Sequence, residues 1–257
     1  MRIATFNANS IRARLDTVTD WLRVHQPDVL CLQETKVVDA DFPTLAFTEA
    51  GYHVVFRGEK SYNGVAIASK QKPDEVSFGL DDGETPDPTR LAYARFGTLH
   101  VVNTYVPQGR EITHAMYLYK QAWLKRLRAY FERHFSTRKR VVWVGDLNVA
   151  RDRLDIHNAE QQADHVCFHA DVRRVFEATL DWGFTDVCRE QHPDERIYTF
   201  YDYRTINAVQ RNMGWRIDYI LATPPLARRV RSCSIDLEPR LAPRPSDHTF
   251  LMAEFED

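Results

Sequence analysis

Nine short runs, RIATF, DVLCLQ, HVVF, GVAIAS, LAYARF, LHVVNTYV, VVWVG, IDYILAT and TFLMAEF, are spread along the 257-residue chain. Each is apolar at consecutive positions or alternates, and runs of about four to eight such residues read as strands. Helix spacing appears in three other places: Ile11, Leu15, Val18 and Leu22; Met116, Trp123, Leu127 and Tyr130; and Val172, Val175, Phe176, Thr179 and Leu180. A strand that is apolar on both sides must be covered on both faces. The chain is therefore expected to be an α/β protein, either two packed sheets with helices outside or one sheet between helix layers. Its length, with no Gly/Ser-rich linker and no repeat of fixed period, predicts one domain over residues 1–257.

With 44% hydrophobic and 27% charged residues, the composition is that of a folded globular chain, not a disordered one. Lys and Arg total 34 against 36 Asp and Glu, so the net charge of −2 offers no general attraction for a polyanion. Any nucleic-acid site must be a local patch. Cys31, Cys167, Cys188 and Cys233 lie far apart without a C-x-x-C pair, which argues against a zinc site or a disulfide framework and for buried thiols. Met1 leads at once into a strand-like run, and no apolar leader or run of about 18 apolar residues follows. The expectation is a cytoplasmic protein that does not engage a membrane.

The ends of the runs carry the functional signal. RIATF gives way to Asn7 and Asn9, DVLCLQ to Glu34, VVNT to Tyr105, and VVWVG to Asp146 and Asn148. Asp218 sits inside WRIDYIL, where a lone carboxylate is costly to bury without a partner. His248, from the stretch PRPSDHTFLMAEF, can be that partner. Carboxylates, amides, a tyrosine and a histidine recurring at strand ends predict a shared polar pocket. Such a pocket, without thiolates, suits Mg²⁺ or Mn²⁺ better than Zn²⁺, and a phosphate ester is its natural substrate. A serine hydrolase is disfavoured, because Ser246 merely neighbours His248 and no G-x-S-x-G elbow is present.

The motifs ATFNANSIRA, DVLCLQETK, SYNGVAIASK, NTYVPQG, VGDLNVA, NMGWRIDYILAT and PSDHTFLMAEF follow one another along nearly the whole chain. In kind and order they resemble those of the exonuclease III family of apurinic/apyrimidinic endonucleases. The resemblance implies a four-layered α/β sandwich of two mixed sheets flanked by helices. It implies a Mg²⁺-dependent DNA repair nuclease, with Mn²⁺ as a substitute, that cuts 5′ to abasic sites and has 3′–5′ exonuclease and 3′-phosphatase or phosphodiesterase activity. The partner would be double-stranded DNA with abasic sites or 3′-blocked ends, and the enzyme a monomer. By resemblance, Glu34 is the direct metal ligand, with Asn7 and Asp247 completing or orienting its shell. Asp146 positions or deprotonates the attacking water, Asn148 and Tyr105 bind the phosphate and its transition state, and Asp218 orients His248. Were there a second metal, Asp146, Asn148 and His248 would hold it. Phe200, Trp215 and Ile217 fall where the family places the pocket for a flipped abasic sugar, with Arg204 nearby. Arg12, Arg110, Arg151 and Arg211 are further candidates for backbone phosphates.

Two departures stand out. Ser10 replaces a usual Gly, and the 155–173 stretch, which runs into CFHADVRR (167–174), keeps Phe168 and Arg173 but not the family's residues at Cys167, Ala170 and Val172. The second bears on DNA recognition more than on chemistry. The competing readings are another phosphodiesterase or phosphatase of the wider superfamily, and a catalytically weak DNA-binding homologue.

Overall fold

All nine runs are strands in the computed structural model, which describes residues 1–256. They belong to two six-stranded sheets. The first has, in spatial order, β11 (Val230–Asp236), β12 (Phe250–Phe255), β1 (Arg2–Asn7), β2 (Val29–Gln33), β4 (Val65–Ser69) and β3 (His53–Arg57). The second has β5 (Glu75–Phe78), β6 (Leu91–Phe96), β7 (Leu99–Tyr105), β8 (Arg140–Asp146), β10 (Asp218–Ala222) and β9 (Thr185–Asp186). Each sheet has one parallel pair near its centre, β1 with β2 and β7 with β8, and its other pairings are antiparallel.

The alternation of side chains along each strand sorts the core into three layers. Ile3, Cys31, Ile67, Val101, Val142, Val144, Ile220 and Leu251 meet between the sheets. Ala4, Phe6, Leu30, Leu32, Ala68 and Phe250 face outward and pack on α1 (Leu15–His25) and α2 (Thr44–Glu49), through Val18, Leu22 and Phe47. Tyr93, Val102, Trp143, Tyr219 and Leu221 face outward from the second sheet onto α3 (Ala115–His134) and α4 (Ala170–Leu180), through Trp123, Leu127, Phe131 and Phe176. The architecture is the four-layered sandwich, and the expected helices are present. Ile11 is the exception. It is buried with the first helix's cluster but precedes α1, because Asn9 and Ser10 adopt left-handed backbone (φ 44° and 90°) and delay the helix start.

Near one end the inter-sheet layer turns polar. Gln33 donates to Thr5 Oγ1 (2.9 Å) and to Asn103 Oδ1 (2.7 Å), and Asn103 Nδ2 donates to the carbonyls of Leu32 and Ala66, both at 2.9 Å. One side chain of the second sheet thus satisfies backbone of the first, and registers the two layers just below the site.

A candidate active site at the seam between the sheets

The same alternation that builds the inner core delivers the polar groups. Ile3, Thr5 and Asn7 form one row; Val142, Val144 and Asp146 another; Val101, Asn103 and Tyr105 a third; and Ala222, Ile220 and Asp218 a fourth. Each apolar row ends in a polar side chain at the same edge, and the register sets Tyr105 and Asp218 on either side of Asp146. Both parallel pairs aim their C-terminal ends at this edge, the usual place for a site in such sheets. Gly145 makes the approach of β8 to β7 work: its φ is 135°, and a Cβ there would lie 2.0 Å from the Thr104 carbonyl.

Past the strand ends the backbone bends sharply. Glu34, Lys36 and Asn148 have left-handed φ values of 48°, 53° and 52°, as have Asn9 and Ser10 beside them. Such conformations cost non-glycine residues about 1–2 kcal/mol each and collect at functional sites. They turn the side chains out of the strand alternation and toward one another. Ser10 therefore occupies a conformation suited to glycine, which accounts for the usual residue there.

Asn7 Nδ2 donates to Glu34 Oε1 and Asp146 Oδ2, both at 2.8 Å, and its Oδ1 accepts from Asn9 N. Asn7 thus sits between the carboxylates as their orienting member. Asp146 Oδ1 accepts from Asn148 N (3.0 Å). His248 Nδ1 is 2.8 Å from Asp218 Oδ2, its Nε2 is 3.7 Å from Asp146 Oδ2, and the Phe200 ring meets its own edge to face. Lys36 Nζ lies 2.7 Å from Glu34 Oε2 and 2.5 Å from Asn9 Oδ1, while Asn9 Nδ2 donates to Asp247 Oδ1. Lys36 was not assigned from sequence, and Asn9 was read only as one of the polar groups at the strand ends. The motif holding Glu34 contains Lys36 two residues on, but only the fold shows the ammonium curling back.

Burial pushes the Asp146 carboxyl upward, and Asp218 and Glu34 add to this, while the His248 imidazolium opposes it and holds the carboxylate form. Burial alone would lower His248, but the carboxylates of Asp218 and Asp146 outweigh it and raise the imidazole to about 10. An imidazolium with both nitrogens turned to carboxylates offers no lone pair to a metal. Burial would likewise raise Glu34, yet the Lys36 ammonium holds it below the usual range. Tyr105 is pushed well above its ordinary value by burial and then by Glu34 and Asp146, so its hydroxyl stays protonated.

A cavity of about 430 Å³ joins these groups to an apolar wall. Glu34, Tyr105, Asp146, Asn148, Asp247 and His248 form the polar side, and Phe200, Trp215 and Ile217 the apolar one. His165 packs on Trp215 with ring centroids 4.4 Å apart, and burial depresses it to about 4, so it is neutral. Sequence reasoning missed His165, which lies in the divergent stretch. Arg204 reaches the rim, exposed and paired with Asp202 (2.6 Å). Of the other arginines, Arg151 is turned to Glu177 (2.6 Å), and Arg12 and Arg110 are exposed.

A corner of hard oxygens, Glu34, Asp247 and Asn9, with a lysine ammonium already drawn into it, fits a hard divalent cation. A second cluster of ligand atoms, from Asp146, Asp218 and His248, lies within 4.8 Å. There the His248 imidazolium already pairs with both carboxylates.

A family model described as "Endonuclease/Exonuclease/phosphatase family" matches residues 4–248. The chain belongs to this family. As a member of the endonuclease/exonuclease/phosphatase family it is a hydrolytic enzyme. It is 32% identical to the exodeoxyribonuclease III of Haemophilus influenzae over 99% of this chain and 100% of that protein. Among solved structures it is similar to an AP endonuclease from Archaeoglobus fulgidus, at 52% identity and a TM-score of 0.98 over 100% of both chains. It also resembles a 3′ phosphatase from Neisseria bound to a product DNA hairpin, at 36% identity and a TM-score of 0.95 over 100% of both. Within the family, then, the fold is shared with proteins described as an AP endonuclease and as a 3′ phosphatase.

Proposed function

We propose that this chain is a Mg²⁺-dependent DNA repair nuclease that hydrolyses the phosphodiester 5′ to an abasic site and also clears 3′-blocked ends of double-stranded DNA. One observation carries the reading: a single cavity has a polar side able to bind a phosphate and its metal, and an apolar wall able to receive a sugar without a base. An abasic nucleotide is unstacked and cheap to extrude, and the apolar wall can receive its bare sugar.

Glu34, with Asp247 beside it and Asn7 orienting its carboxylate, would hold Mg²⁺ or Mn²⁺, which when bound neutralises charge on the phosphate oxygens. Asp146, held by Asn7 and the Asn148 amide, orients the attacking water and takes its proton. The His248 imidazolium, fixed by Asp218, donates to a phosphoryl oxygen as charge builds on it. The Tyr105 hydroxyl and the Asn148 side chain contribute further hydrogen bonds at the phosphate. Phe200, Trp215 and Ile217 hold the flipped sugar, and Arg204, Arg12 and Arg110 meet the backbone. Asn148 and Asp146 need no second metal for these roles. A cytoplasmic location accords with the reading, and among the described residues no helix is long and apolar enough to cross a membrane.

The test is incision of a duplex oligonucleotide bearing one abasic site, with and without EDTA. Incision 5′ to the site that stops with EDTA and returns with Mg²⁺ is the expected result, and Glu34→Ala should then need more Mg²⁺ for half its rate. Cutting that ignores EDTA would refute the metal assignment.

A further inference from the structure

Lys120, in the second turn of α3, is fully buried. An ammonium has three donors, and here they go to the backbone carbonyls of Gln108 (3.1 Å), Asn148 (2.6 Å) and Val166 (2.9 Å). These carbonyls belong to three different segments: the loop after β7, the loop after β8, and the stretch leading from His165 to Cys167. All three line the cavity through Gln108, Asn148, His165 and Cys167. Core packing does not call for a charge at this position. Trp123, Leu124, Leu127 and Phe131 already anchor the helix, and burying a cation costs free energy that an apolar side chain would not.

What the charge accomplishes is visible at Asn148. Its left-handed backbone (φ 52°) is held on one side by its amide on Asp146 Oδ1 and on the other by its carbonyl on Lys120. Its side-chain Nδ2 donates to Val106 O (3.0 Å), and the Cys167 thiol, itself 3.9 Å from the ammonium, approaches Asn148 Oδ1 at 3.8 Å. Without Lys120, the segments would still be linked by the Asn148 side chain, to Val106 O and the Cys167 thiol, and by the Ala150 amide on the Cys167 carbonyl (2.7 Å), but the charged bonds to their three carbonyls would be gone.

We propose that Lys120 is a positioning residue for phosphodiester hydrolysis, its ammonium tying three loops together so that the Asn148 side chain faces the scissile phosphate. This rests on the role given to Asn148 above. Lys120 does not reach substrate; it acts through backbone.

The experiment is steady-state incision of an abasic duplex by the full chain as Lys120→Met, Asn148→Ala and the double variant, assayed well below each melting temperature. Lys120→Met should lower kcat roughly tenfold or more with KM within about threefold, and the double variant should match Asn148→Ala alone within about twofold. Equal fractional losses with and without Asn148, or a loss confined to KM, would overturn the proposal. A near-native rate for Asn148→Ala would instead remove the reading beneath it, and the proposal with it. Should Lys120→Met not fold, Lys120→Gln, which can donate two of the three bonds, takes its place in the same comparison. In the unmodified protein, ¹⁵N NMR should find the Lys120 ammonium protected from solvent exchange, and rapid exchange would contradict the clamp.

Discussion

His248 shows how little of a residue's chemistry its type decides. In water its imidazole would be mostly neutral at pH 7, but two buried carboxylates keep it charged. His165, in the same cavity and without such partners, is kept neutral by burial. Asp146→Asn and His248→Ala should each lower the incision rate by on the order of 10² or more without unfolding the protein. Asp218→Asn should reproduce part of the His248 loss, and the pair should be less than additive because the two act as a unit. Near-native rates would move the site elsewhere. Trp215 separates substrate from chemistry: Trp215→Ala should slow abasic incision far more than release of a 3′-phosphate, which needs no flipped internal sugar. If Trp215 is only core, both rates fall together with the melt, by the roughly 3–5 kcal/mol that a lost buried aromatic costs. The carboxylates, amides and His248 were legible because each lies at an end of an apolar run or, like Asp218, interrupts one. Lys36, His165 and Lys120 were not, since each reaches the site from a turn, a loop or a helix where the local sequence carries no such signal.

Among the elements, strands apolar along their length were all foreseen, and β5, β9 and β11 were not. All three are at sheet edges. An edge strand is paired on one side only and tolerates polar residues: β5 reads EVSF and is largely exposed, β11 reads VRSCSID, and β9 has two residues. The segment entering β10 depends on a buried ion cluster that the sequence also hid. Arg216, fully buried, bonds Asp155 through Nε (2.7 Å) and Nη2 (3.0 Å) and pairs with Asp186 (2.8 Å), and Arg189 joins at Asp155 (2.5 Å). Because Arg216 stands between Trp215 and Ile217, this cluster fixes the apolar wall. Burial would raise Asp155, but Arg216 and Arg189 hold it below the ordinary value. Its stabilising contribution is therefore complete above the unfolded carboxylate value of about 4 and disappears as pH falls through the depressed folded value. Asp155→Asn should cost about 3–5 kcal/mol at neutral pH, as breaking a buried pair does. Its urea midpoint should then vary less between about pH 5 and pH 2 than that of the unchanged protein. Parallel curves would show that the cluster contributes nothing to acid sensitivity.

For the whole molecule, the pattern of hydrophobicity left two architectures open, because a strand buried on both faces shows no alternation to reveal which face meets a second sheet. Only the motif order chose the sandwich. The inter-sheet layer runs from Phe255 beside one edge to Val187 and Leu226 beside another, so the chain should unfold as one unit. Calorimetric and van't Hoff enthalpies should agree, and sedimentation should show a monomer. Two resolved transitions would divide the chain into separate units. The division of the cavity between the sheets has a consequence in time. Asn7 and Glu34 come at the start of the chain, but Asp218 and His248 are separated from them by roughly two hundred residues, and β12 must slide in beside β1 before His248 meets Asp218. A ribosome therefore releases the residues from β1 through β10 before the charged pair can close, and the growing chain cannot act on a phosphodiester until β12 is made.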